Sequence, residues 1–254
     1  MRLFSDSRFS HAGDPSMPIL KLRELEGLLR EGDIIFTRIP GAAFRQIADA
    51  TRTWTNHVGI VVGFNRFGAV IAESRVPIAC RTLFSFFVRR SVQGRVAVLR
   101  PRQPLSNDDV KRLGGAVRRR LGRFYDTGFS LKSRRQFCSR FVREVLQEST
   151  GIVVGDIETL GDLLARNPDA DLRLWKLWYF GRIPWERATV TPASLYESPA
   201  LSVVFDGRLT GRGGSGAAIS LWRRSRQRAT CRSRSRTSPA SIATTHIPQG
   251  PGPS

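Results

Sequence analysis

The chain has 254 residues, 41% of them hydrophobic, enough for a core of real size, which excludes wholesale disorder. Its formal net charge is +20, from 41 Lys and Arg against 21 Asp and Glu, and Lys occurs only at Lys21, Lys111, Lys132 and Lys176. Three Cys exclude a disulfide-dense secreted scaffold.

The longest apolar runs, Val58–Phe64 and Leu201–Phe205, fall far short of the roughly 18–20 residues that a spanning helix needs. Residues 1–16 carry no apolar h-region, so the expectation is a soluble protein of a reducing, cytoplasmic compartment. Met17 is an alternative start, because ordered-looking sequence begins there.

The pattern then reads as follows in chain order. Leu20, Leu22, Leu25, Leu28 and Leu29 predict an amphipathic helix over Ile19–Leu29. Gly32-Asp33 ends it and leads into a strand, Ile34–Arg38. Ala42–Thr51 reads as a second helix. Two β-rich runs, His57–Phe64 and Ala69–Ser74, are joined by Asn65-Arg66-Phe67-Gly68 as a hairpin. Arg95–Arg100 is another strand. Ser106 is an N-cap with Asp109 three residues on, opening a helix to about Leu121. Phe137–Glu148 is a further helix. Thr191-Pro192 pairs an N-cap with Pro at the first helical position. Leu201–Phe205 closes as a strand.

These elements make an α+β domain over 18–210, between a flexible leader, 1–17, and a tail, 211–254. The tail has eight Arg and no acidic residue, leaving +12 before it (41 − 8 = 33; 33 − 21 = 12). Rich in Ser, Gly and Pro, it reads as disordered, its charge either incidental or an arm for nucleic acid or another anionic surface.

Chemistry concentrates on few residues. His11 and His246 lie in the leader and tail, and only His57 sits on a core element. Histidine is the side chain best suited to proton transfer near neutral pH. Cys231 lies in the tail. Cys80, at a strand end after Pro77-Ile-Ala, reads as a small buried hydrophobe away from His57. Cys138 falls in the first turn of the Phe137–Glu148 helix, where unpaired N–H groups and the helix dipole favour a thiolate. Arg134 and Arg135 add positive potential beside it. The aromatic stretch Trp175–Phe180, followed by Trp185, either covers a cleft, grips an acyl chain or caps the sheet. The chain has no CxxC or HExxH spacing, no Walker loop and no dinucleotide fingerprint, so neither metal nor cofactor is expected.

Taken in order, Gly32-Asp-Ile-Ile-Phe36, Asn56-His-Val-Gly-Ile-Val61, Ala69-Val-Ile-Ala-Glu73, Phe124-Tyr-Asp126 and Phe137-Cys-Ser139 resemble the circularly permuted NlpC-type thiol hydrolases. The YiiX/YebB-like branch is the nearest subgroup, and lecithin retinol acyltransferase is a more distant likeness. Thr191–Ser198 resembles a segment near the end of such domains. His before Cys is the permuted order. The resemblance covers about Leu20 to Phe205 and implies a permuted papain-like fold, with an antiparallel sheet and the nucleophile at a helix N-terminus.

The resemblance also implies roles: Cys138 as nucleophile, His57 as its base, Glu73 as the group orienting His57, and Tyr125 lining the pocket. Asn56 is the alternative orienting residue, and a Cys–His dyad the other. Implied substrates are peptides, peptidoglycan fragments or lipid-like acyl amides, cleaved through an acyl-thioester. The rival reading is a catalytically silent module of the same fold, using its basic tail for an anionic partner. Strand alternation sets a condition: His57 and Glu73 share a face only if the hairpin loop is odd. A three-residue loop, Asn65–Phe67, satisfies it and a four-residue loop does not; the sequence leaves both open.

Overall fold

The structure, a computed structural model, describes residues 17–41, 48, 51–166 and 172–210. The expected leader and tail, Cys231, and nearly all of the expected Ala42–Thr51 helix lie outside the described residues.

A seven-stranded sheet organises the fold, in the order β1-β9-β6-β2-β3-β4-β5. Its strands are β1 Ile19–Lys21, β2 Ile34–Thr37, β3 His57–Asn65, β4 Gly68–Ser74, β5 Ala79–Leu83, β6 Arg95–Pro101 and β9 Leu201–Thr210. All neighbours are antiparallel except β1, which runs parallel to β9. A small second sheet pairs β7 Glu158–Thr159 with β8 Ala188–Thr189. The mixed architecture and mostly antiparallel sheet agree with the expected α+β class.

Both faces of the sheet are covered. On one face Ile34, Phe36, Val58 and Ile60 pack against α3 (Asn107–Arg118) and α4 (Cys138–Thr150) through Leu113, Val117, Phe141 and Val145. On the other, Ile35, Val61, Ile71 and Val98 pack against α1 (Leu22–Leu28) and α2 (Phe84–Val88) through Leu25, Phe84 and Phe87. This explains why β2 and β3 read as continuous apolar runs: each is buried on both sides. Short helices α5 (Leu160–Ala165), α6 (Arg173–Trp178) and α7 (Pro192–Tyr196) complete the chain.

Local signals act where expected. Ser106 caps α3 and forms a reciprocal capping box with Asp109. Thr191 caps α7 by accepting from the Ser194 N–H, with Pro192 at the first turn. Gly151 closes α4 at a left-handed φ of 76°.

The N-terminal expectation needs correction. Ile19–Lys21 is a strand, and the helix begins only at Leu22. The edge of β9 offers parallel hydrogen bonding to these three residues, which overrides their helical periodicity. Leu25 and Leu29 reach the core, but Leu28 is exposed.

The hairpin also differs. Its turn has only two residues, Arg66 and Phe67, between Asn65 and its partner Gly68. The register shifts between Val61 and Gly63, where a β-bulge leaves Val62 as the extra residue. Gly63 adopts φ 150° there, a region closed to most side chains.

Candidate active site

Beyond the bulge, Ile60 pairs with Ala72. Continuing that register sets Gly59 opposite Glu73, so His57 and Glu73 point to the same face. An unbulged two-residue hairpin would have put them on opposite faces. Their side chains meet: Glu73 Oε2 lies 2.7 Å from His57 Nε2. The His57 ring also packs beside Phe87, centroids 5.5 Å apart. Gly59 makes this packing possible, since a Cβ there would meet Phe87 Cε2 at 2.8 Å and Ile71 Cγ2 at 2.7 Å.

Cys138 arrives with α4 from the other layer, at the end of β3 where His57 begins. It is the first helical residue, with Phe137 as N-cap, so its N–H has no intrahelical acceptor. His57, Glu73 and Cys138 are all at most 3% exposed.

With Nε2 engaged by Glu73, Nδ1 is the ring nitrogen left for the thiol. Nδ1 and the Tyr125 hydroxyl are buried, with no hydrogen-bond partner among the described residues. Both groups act electrostatically on Cys138.

The electrostatics shift Cys138 toward the thiolate and His57 toward the imidazolium. Burial pushes the Cys138 thiol up, but His57, the Val58 N–H and the Tyr125 hydroxyl together outweigh it, so its pKa is lowered. Burial pushes His57 down, but the neighbouring Cys138 and the bonded carboxylate of Glu73 hold its pKa above the ordinary 6.5. Tyr125 is raised well above 10, by burial first and the neighbouring Cys138 second, and stays neutral. The side chains of Arg134 and Arg135 are exposed, and the groups acting most on the thiol are His57, Val58 and Tyr125.

Glu73 has partners that sequence reasoning missed. Thr82 Oγ1 donates to Oε1 at 2.7 Å, and Arg90 Nη2 donates to both oxygens, at 2.9 and 2.8 Å. Arg90 also lies over the Phe87 ring. Burial raises the carboxyl pKa, but His57, Arg90 and Thr82 together hold it down at about 2. No linear pattern marks Arg90, which follows α2. Thr82 becomes legible only once the β4–β5 register is known.

Cys80 pairs directly with Glu73 across β4 and β5, and its sulfur accepts from Arg75 Nε at 3.2 Å. It is buried, as expected, but it belongs to the surroundings of Glu73. Asn56 bonds the Ile39 backbone through both its oxygen and its nitrogen.

A cleft enclosing about 580 Å³, open mouth included, reaches Cys138. Phe129, Leu160, Leu163, Leu164, Trp175 and Ile183 form its apolar wall. Tyr125 is placed at the thiol rather than along this wall. The aromatic stretch therefore contributes Trp175 to the cleft, whereas Leu177, Trp178, Phe180 and Trp185 are exposed instead of capping the sheet.

Residues 28–205 match the model of the permuted papain-like amidase enzymes, YaeF/YiiX, C92 family. The chain is 31% identical over 173 residues to the uncharacterized protein YiiX of Escherichia coli K12, covering 68% of this chain and 84% of that one. The crystal structure of the metalloprotein YiiX from Escherichia coli O157:H7 superposes with a TM-score of 0.65 at 28% identity, covering 70% of this chain and 98% of that chain.

Proposed function

Because the chain belongs to the YaeF/YiiX family of permuted papain-like amidases, a family of cysteine hydrolases, we propose that it cleaves an acyl amide or ester through Cys138, His57 and Glu73. One observation carries the reading: the His57 ring is held on Nε2 by the buried carboxylate of Glu73, leaving Nδ1 for the Cys138 thiol.

The steps follow from these groups. The Cys138 thiolate attacks the carbonyl carbon, and the carbonyl electron pair moves to oxygen. The Cys138 N–H, free of an intrahelical acceptor, donates to that oxyanion. Collapse breaks the bond to nitrogen or oxygen, and His57 gives its Nδ1 proton to the leaving group. This leaves an acyl-thioester. Water then loses a proton to His57 and attacks the thioester, releasing a carboxylic acid and restoring the ion pair. Glu73 holds the ring orientation and stabilises the imidazolium.

Among peptides, peptidoglycan fragments and lipid-like acyl amides, the cleft favours an apolar acyl group, because none of the described residues that line it is charged. YiiX from the O157:H7 strain is described as a metalloprotein. In this chain no group of three or more His, Cys, Asp or Glu among the described residues is placed to hold a metal ion. The oxygens of Glu73 are already taken by His57, Thr82 and Arg90. The donor set does not fit a metal, and no step uses one. Among the described residues, no helix is long and apolar enough to cross a membrane.

Incubation with p-nitrophenyl esters of increasing chain length tests the proposal. The expected result is a burst of nitrophenol and an acyl mass added to the peptide containing Cys138, both absent in Cys138→Ala. Ester turnover that persists in Cys138→Ala, or a protein that never acquires the acyl mass, would overturn it.

A further inference from the structure

We infer that the segment from Leu172 to Arg187 is a docking surface for an anionic lipid bilayer, set at the mouth of the cleft. The inference rests on the proposed reading of the cleft as an acyl site. Trp175 and Ile183 are buried and line the cleft. Between them Leu177 and Phe180 project outward, 75% and 94% exposed, with Trp178 at 40%.

This outward display is built into the segment. Trp178 Nε1 donates to the Thr127 carbonyl at 2.9 Å, and the Tyr179 hydroxyl to the Gly128 carbonyl at 3.1 Å. Trp175 stacks on Tyr179, centroids 6.2 Å apart. Phe180, at φ 51°, and Gly181, at φ 80°, turn the backbone sharply, so Phe180 stands at the tip. A Phe at a left-handed position in open water gains nothing from packing, which points to an apolar surface outside the protein.

Charge selects the occupant. Lys176 and Arg182 are exposed beside these side chains, and the segment also carries Arg173 and Arg187 against Glu186. A second copy would set the same cations against each other. An anionic bilayer supplies phosphate for the cations and acyl chains for Leu177 and Phe180, with indoles at the headgroup level. Trp175 and Ile183 would then present apolar surface to a lipid acyl chain entering the cleft that reaches Cys138.

Sedimentation of the full chain with vesicles tests this, using phosphatidylcholine mixed with phosphatidylglycerol and phosphatidylcholine alone. The wild type is expected to bind the mixed vesicles and to bind the neutral ones more weakly. Combining Leu177→Ser with Phe180→Ser should weaken binding to the mixed vesicles by about tenfold or more. The same double variant should keep the wild-type melting temperature and its turnover of a water-soluble short-chain ester. Cys138→Ala should bind vesicles like the wild type, so failure of the catalytic reading leaves this measurement intact. Equal binding by wild type and double variant would place the contact on the basic charge alone and overturn the inference. So would absence of binding to mixed vesicles, equal affinity for neutral vesicles, or wild-type self-association that the double variant abolishes.

Discussion

Glu73→Gln removes a charge that three hydrogen-bonding neighbours hold in place, with Arg75 Nε ion-paired to it at 3.8 Å. The carboxylate is fully buried and accepts from His57, Thr82 and Arg90. These partners outweigh burial and bring its pKa from the ordinary 4.5 to about 2. At about 1.4 kcal/mol per unit, the ionised carboxylate stabilises the fold by about 3 kcal/mol, in line with breaking a buried ion pair. Because the folded pKa is depressed, this contribution is fully present above pH 4.5 and is lost as pH falls toward about 2. Glutamine cannot replace it. Each carboxylate oxygen already receives a donor, so the amide NH2 faces a donor in either orientation. The variant should melt about 6–12 °C lower at neutral pH, the shift that about 3 kcal/mol gives in a domain of this size. As the medium is acidified, the wild type loses the same advantage and the two melting curves should converge. Circular dichroism melts across a pH series measure this directly. A gap that stays constant with pH, or one below about 2 °C at neutral pH, would refute the account of Glu73 as a buried ion-paired carboxylate. Turnover should fall by about 10- to 1000-fold, and the pH profile of Cys138 alkylation should move upward, because glutamine no longer stabilises the imidazolium.

Cys138→Ala should abolish turnover while leaving the fold and its melting temperature nearly intact, as judged by circular dichroism beside the ester assay. Wild-type Cys138 should be alkylated by iodoacetamide at pH values below those an ordinary thiol requires, since His57, the Val58 N–H and the Tyr125 hydroxyl favour its thiolate. In Tyr125→Phe one of those donors is gone, so the alkylation profile should move upward; an unchanged profile would remove Tyr125 from the thiol's environment. Gly59→Ala should destabilise the fold by about 1–3 kcal/mol through overpacking against Phe87 and Ile71, read by urea unfolding. Cys80→Ala should lower turnover by less than about tenfold, because it trims the surroundings of Glu73 without touching the thiol. A larger loss would put Cys80 in the chemistry.

The sequence by itself determined what short-range physics controls. The caps at Ser106 and Thr191, the paired runs of β3 and β4, and the position of Cys138 at the start of α4 all depend on residues within a few positions of one another. The mixture of helix and strand patterns gave the α+β class, and the order of the motifs carried the family. Tertiary structure decided what depends on register and on contacts between distant elements. Ile19–Lys21 became a strand because the edge of β9, far along the chain, had hydrogen bonds to offer. Whether Glu73 reaches His57 turned on the extra residue Val62: with a two-residue turn, only the bulge brings the two side chains to one face. Thr82 and Arg90 joined Glu73 by cross-strand pairing and by the placement of α2, neither of which leaves a local mark. Side chains alternate with period two along a strand, so a single added residue reverses every face beyond it. That reversal is decided by how the whole sheet packs between its two layers of helices, and no window of the sequence contains it.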